Sequence, residues 1–194
     1  MLEDLLAQFG YLALFGFLVA AGLGVPLPEE ATQLAGGVLA HQGLVRLLPA
    51  MATAWAGIVT GDVIWFTLAR RHGERVLAAR PVARVLSAER RAGLERHLAR
   101  HAFLVVAAAR HASGLRLAVF ALAATHGVRL RTFALADGLS ALVSVPLVVG
   151  AGFLFSQHLE LARRDLRWVE LAVVALVVVG ILVATRLRRR PARR

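Results

Sequence analysis

Two arginines stand inside an apolar stretch of about membrane length: Arg110 and Arg116, within AAARHASGLRLAVFALAA (107–124). A charge at the bilayer centre costs roughly 2.5–3.5 kcal/mol on insertion scales, so the pair needs partners or a task. A guanidinium is planar, always charged and carries five donors, which suits bidentate recognition of phosphate. On an unbroken helix a six-residue spacing sets the two side chains about 120° apart. Ser113 and Gly114 lie between them, and a break there would let both point into one cavity. Two readings stay open: the arginines bind an anion, or each neutralises a carboxylate and locks two segments together.

The carboxylates for either reading are few. Glu29 and Glu30 follow the Pro26-x-Pro28 break at the head of an apolar segment. As first-turn acids at the interface they would stabilise a helix N-terminus. If the break lies within the membrane, at least one is a buried carboxylate suited to carry a proton. Which of the two is buried stays open. Asp62 follows Gly61 about three turns into its helix, and is either a satisfied polar residue or part of a relay or salt bridge. Asp137, in ADGLS, is either a packing polar group or a third acid facing the cavity.

Other chemistry is thinly supported. His97 and His101 have i,i+4 spacing without an evident third ligand, so no metal site is expected. His111 and His126 could titrate or be structural. With no cysteine there is no disulfide framework or thiolate chemistry. No GxSxG, HExxH or Ser/His/Asp set is present. The expectation is a protein that is not an enzyme and has no cofactor.

The elements that position these groups are hydrophobic. Of the residues, 58% are hydrophobic, the mean hydropathy is +0.67, and spans of ~20 apolar residues recur, so the chain reads as a polytopic membrane protein. Met1–Gln8 carries Glu3 and Asp4 but no basic residue, so the first apolar segment is expected to stay rather than be cleaved. All 23 basic residues are arginine and the net charge is +11. Nine arginines fall between Arg70 and Arg100 and six in the tail RLRRRPARR. That clustering at segment ends marks cytoplasmic regions facing anionic lipid, and argues against nucleic acid as partner.

The expected organisation is one all-α membrane domain. It comprises a first re-entrant hairpin region (9–48), a transmembrane helix (50–69), a cytoplasmic connector (70–101), a second re-entrant hairpin (102–131), transmembrane helices at 133–155 and 168–186, and a basic tail (187–194). Parity carries the argument. Connector and tail both want to be cytoplasmic, so three full crossings cannot lie between them, and 102–131 must dip in and return. The first half then mirrors the second in opposite orientation, as in transporters whose site lies where broken helices meet. Irregular backbone at that depth must be buried in protein or line a wet cavity. Six simple spans are the plain alternative.

Three segments carry a resemblance. GVPLPEEATQLAGG is similar to the G-x-P-x-P-G-E segment of the DedA family, also called the SNARE-associated or VTT-domain family. GDVIWFTLARRHG is similar to its G-D-x-x-x-Y-x-x-G-R-x-x-G segment, and RHASGLRLAVFALAATHGVRLRTF to its R-F-x-P-G-x-R segment. The resemblance covers about residues 20–155. Glu29 and Ser113 replace the family's glycine and proline, Phe66 stands at the aromatic after Gly-Asp, Ala124 replaces a glycine, and the tryptophan expected near Val143 is absent. The resemblance implies that Glu30 and Asp62 are the family's acids and Arg110 and Arg116 its arginines. It further implies a bacterial inner-membrane protein that moves a lipid phosphate, undecaprenyl phosphate above all, between leaflets with proton or sodium coupling. A proton-coupled exporter of small ions or drugs and a non-transporting membrane-integrity scaffold remain alternatives, and self-association stays open.

Overall fold

The computed structural model describes residues 2–161, apart from 26, 84 and 113. The expected helix at 168–186, the tail 187–194 and the breaks at Pro26 and Ser113 lie outside the described residues. Among the described residues the protein is all-helical: α1 (Leu2–Gly22), α2 (Glu29–His41), α3 (Leu47–His72), α4 (Glu74–Leu77), α5 (Arg80–Ala83), α6 (Ala88–Ala109), α7 (Arg116–Thr125) and α8 (Leu130–Leu161).

Among the described residues, two helices are long and apolar enough to cross a membrane: Leu47–His72, with 26 residues, and Leu130–Ser156, with 27. At 1.5 Å per residue each spans about 40 Å, against roughly 30 Å of hydrocarbon. Along α8, Phe133, Asp137, Ala141, Val145 and Val149 recur every four residues and are fully buried. Leu135, Leu139, Leu142, Val143 and Leu147 stay exposed, an outer surface that suits hydrocarbon better than water.

Both halves repeat one pattern of helix, break, short helix and long helix. The breaks after α1 and α6 each hold a glycine with positive φ, Gly24 at 87° and Gly114 at 83°. A side chain would clash in that left-handed backbone, whereas glycine adopts it freely. Each short helix packs on the long helix of the other half, α2 against α8 and α7 against α3. The α2–α8 crossing is close enough to exclude any side chain at Gly37, where a Cβ would come within 2.0 Å of the Val149 carbonyl.

Two expected boundaries move. Pro49 does not end a segment; it lies in the first turn of α3, after the cap residue Arg46. Backbone N–H groups there have no helical acceptor, so a proline costs little. The connector is also not a solvated strand of helix. Leu77, Val82 and Leu98 are buried in one core with Val119, Phe120 and Leu122 of α7. α6 starts within the connector and kinks at His101 (φ −140°, ψ 46°), where the second hairpin was expected to begin.

Tertiary polar contacts fasten this end. His126 after α7 meets Glu95 on α6 at 2.9 Å. Arg70, in the last turn of α3, donates to the Val128 carbonyl and lies 5.1 Å over the Phe66 ring. Phe66 stacks on Phe133 at 4.2 Å, and Phe120 meets Phe133 edge-on.

Candidate functional site: a buried cluster of two arginines and three carboxylates

The apolar interior is divided into two clusters, one built around α7 and the other around α1, α3 and α8. Asp62 lies on α3 four residues after Ile58 and four before Phe66, one from each cluster. Asp137 lies likewise on α8 between Phe133 and Ala141. The charged groups therefore occupy the seam between the two apolar clusters. Both aspartates are fully buried, and a buried charge is tolerated only when paired and hydrogen-bonded.

Arg110 is the hub. It caps the C-terminus of α6, where the helix dipole favours a cation. Its Nη1 donates to Asp62 Oδ2 at 3.1 Å and to Asp137 Oδ1. Its Nη2 donates to Glu29 Oε1 at 3.1 Å. One guanidinium thus joins α3, α8 and the head of α2.

Arg116 opens α7, a position where the helix dipole disfavours a cation. Glu29 offsets this, accepting from Arg116 Nη1 through Oε2, and Asp62 Oδ2 lies 3.8 Å from the same nitrogen. Glu29 is the first residue of α2, capped by Pro28, where an acid is favoured. Its carboxylate bridges both guanidiniums, Oε1 to Arg110 and Oε2 to Arg116. The break at Gly114 is what brings the two arginines onto one partner.

The shell around these groups is fixed by further contacts. Gln33, one turn after Glu29, donates to Glu29 Oε1 at 3.3 Å. Trp65 Nε1 donates to the Leu117 carbonyl, beside Arg116, at 3.0 Å. Trp55 Nε1 donates to the Gly138 carbonyl, beside Asp137, at 2.9 Å. Ser140 Oγ donates to the Ala107 carbonyl and also meets His111 Nε2 at 3.0 Å. The hydroxyl has a single proton, so His111 must be the donor in the latter contact. Three buried oxygens, Gln33 Oε1, Asp62 Oδ1 and Asp137 Oδ2, have no protein partner among the described residues.

The structure brings together Arg110, Arg116, Asp62 and Glu29 and leaves Glu30 out. Glu30 is exposed, because the helical turn that aims residue 29 at the seam swings residue 30 about 100° away. The carboxylate that meets both arginines is that of Glu29. Asp137, left open by the sequence, is a full member of the cluster, and its signal was an acid within an apolar i,i+4 stripe. Gln33 and the two indoles went unnoticed; only the four-residue step from Glu29 could have pointed to Gln33. His97 and His101 stay outside the cluster, and His97 Nδ1 lies 2.8 Å from the Gly93 carbonyl one turn back.

Comparison with known proteins finds membrane proteins. The family model described as VTT domain matches residues 27–154. A membrane protein of Haemophilus influenzae is 29% identical over 164 residues, 83% of this chain and 74% of its own length. The inner membrane protein YohD of Escherichia coli is 28% identical over 186 residues, 93% of this chain and 91% of its own length. A membrane protein of Bacillus subtilis, YbfM, is 27% identical over 73 residues, 38% of this chain and 45% of its own length. No solved structure matches.

Proposed function

The chain belongs to the VTT-domain, or DedA, family of membrane proteins, and on that premise we propose that it translocates a lipid phosphate between leaflets. The observation that carries the reading is Glu29 bridging Arg110 and Arg116 at the meeting of two helix breaks. A phosphate offers two oxygens at similar spacing, with more charge, and would take the place of that carboxylate. Undecaprenyl phosphate is the first candidate substrate for a bacterial inner membrane.

The repeated helix–break–short helix–long helix pattern supports reading the halves as two re-entrant hairpins of opposite orientation. Arginine bias then puts the connector and C-terminus in the cytoplasm. Three carboxylates facing two guanidiniums leave one negative charge in excess when all are ionised. A second anion enters such a cluster only if a carboxylate withdraws or takes up a proton or sodium ion. Asp62 Oδ1 and Asp137 Oδ2, free of protein partners among the described residues, are where a proton would be held. Coupling to a proton, or to sodium, follows from this charge balance.

One observation favours a second reading. Between them the guanidiniums already contact carboxylates from three helices, which is also what a purely structural lock between the halves would look like. A scaffold of this kind would move nothing. Purified protein in liposomes, followed for transfer of labelled polyprenyl phosphate between leaflets, separates the two. Protein-dependent transfer that is lost in folded Arg116→Ala supports the carrier. No transfer above empty liposomes, with or without a proton gradient, refutes it and leaves the lock.

A further inference from the structure

A lipid whose phosphate sits among Arg110, Arg116 and Glu29 must lead its hydrocarbon chain away from a sealed, charged seam. α3 and α8 run antiparallel past that seam. Phe66 stacks on Phe133 on one side of it, Trp55 bonds to Gly138 on the other, and Met51 lies beyond, near Gly150. Between the two helices on the Trp55 side lies a groove of about 280 Å³, lined by Met51, Ala52, Trp55, Leu142, Val145 and Pro146.

Several features tie this groove to the charged cluster. Its α3 residues lie 7 to 11 positions before Asp62, and its α8 residues 5 to 9 positions after Asp137. At 1.5 Å per residue both walls therefore start about 8–10 Å from the aspartates and run in the same direction. Trp55 is at once a wall of the groove and a donor to the carbonyl next to Asp137, so the indole spans from the apolar trough to the polar seam. Pro146 lacks an N–H, so the carbonyl of Leu142 has no helical partner there. Leu142 and Leu147 are exposed, so the trough is reached sideways from hydrocarbon.

Resting on the lipid-phosphate reading, the geometry points to the α3–α8 groove as the seat for the first segment of the substrate's hydrocarbon chain. Trp55 marks the crossover from headgroup to tail. The occupant is a single unbranched or isoprenoid chain attached to phosphate: one trough adjoins the seam, with apolar and aromatic walls and a flexible Met51 to fit an irregular chain. The neighbouring apolar trough between α1 and α3, lined by Tyr11, Leu12, Phe15, Ala52, Thr53 and Ala56, has no comparable contact with a cluster residue.

The test uses the full chain in lipid nanodiscs with farnesyl phosphate carrying a photoreactive diazirine on its tail. Ala52 lines both troughs, so Ala52→Phe narrows both, whereas Ala56→Phe narrows only the neighbouring one. Thermal midpoints verify that both variants fold, and dimethylallyl phosphate, too short to fill the groove, serves as competitor. The expected result is labelling of Met51 or Trp55. Ala52→Phe should weaken farnesyl phosphate binding about tenfold, Ala56→Phe should leave it unchanged, and competition by the short phosphate should stay the same in all three proteins. Label spread over the outer face of α8, or equal loss in both variants, overturns the groove while headgroup binding by the arginines stands. If neither phosphate is bound by wild type, the groove and the lipid-phosphate reading fall together.

Discussion

Glu29 Oε1 lies 3.1 Å from Arg110 Nη2, across 81 positions of sequence. The contact joins the first break of the chain to the second, and it puts an anion where the arginines would otherwise be free to receive one. Most of what the site can do depends on how readily this contact opens.

Arg110 has the most to lose. Arg110→Ala leaves Asp137 buried without its cation and Asp62 with only its 3.8 Å contact to Arg116, and removing one member of a buried ion pair costs about 3–5 kcal/mol. Chemical denaturation in detergent micelles should record a loss of that order. The double variant Arg110→Ala with Asp137→Ala should lose less than the sum of the two singles, because the residues share one network. Strict additivity would contradict the pairing.

The two adjacent glutamates should part company. Glu29→Gln is expected to abolish or sharply slow leaflet transfer of labelled polyprenyl phosphate, since no carboxylate then displaces the phosphate from the arginines to release it. Glu30→Gln, altering an exposed side chain, should change stability by no more than about 0.5 kcal/mol and leave transfer near wild type. The reverse ranking would restore Glu30 to the site.

The α2–α8 crossing predicts strong intolerance to a methyl group. A Cβ at Gly152 would lie 2.2 Å from the Leu34 carbonyl, and backbone cannot yield as a flexible side chain would. Gly152→Ala should cost about 1–3 kcal/mol or more, read as a lowered thermal midpoint. Gly150→Ala, two residues away with its nearest neighbour at 3.9 Å, is the control and should be nearly silent.

Trp65→Phe removes the donor to the Leu117 carbonyl while keeping most of the ring. The expected loss is about 0.5–1.5 kcal/mol, the net value of one hydrogen bond. By contrast, Glu95→Gln breaks a pair with His126 whose side chains are about 30% exposed. Such surface pairs are worth about 0.2–1 kcal/mol, and the difference should shrink as salt is added.

Much of this protein was legible in its sequence. Apolar length set the membrane class and the two long helices, because the cost of unpaired backbone in hydrocarbon leaves few alternatives. Pro28 and Gly114 stand in the two observed breaks, since backbone that cannot continue a helix declares itself locally. Arginine and carboxylate types announced a charged site. The burial of the connector was hidden: its arginines dominate the composition, while Leu77, Val82 and Leu98 are too sparse to form an obvious stripe.

What the sequence by itself determined was therefore the inventory: which groups are charged, where helices must stop, and that opposite charges had to meet. Only the tertiary structure decided which acid meets which base. Residues 29 and 30 are alike in chemistry and adjacent in the chain, and a single helical step of about 100° aims one at the seam and the other outward. Asp137 joined the cluster for the same reason. Its neighbours along α8 are all buried at every fourth position, but whether a cation faces that stripe depends on how α6 ends against it. Pairing is a property of helix rotation and crossing, and those are fixed by packing between segments far apart in the chain.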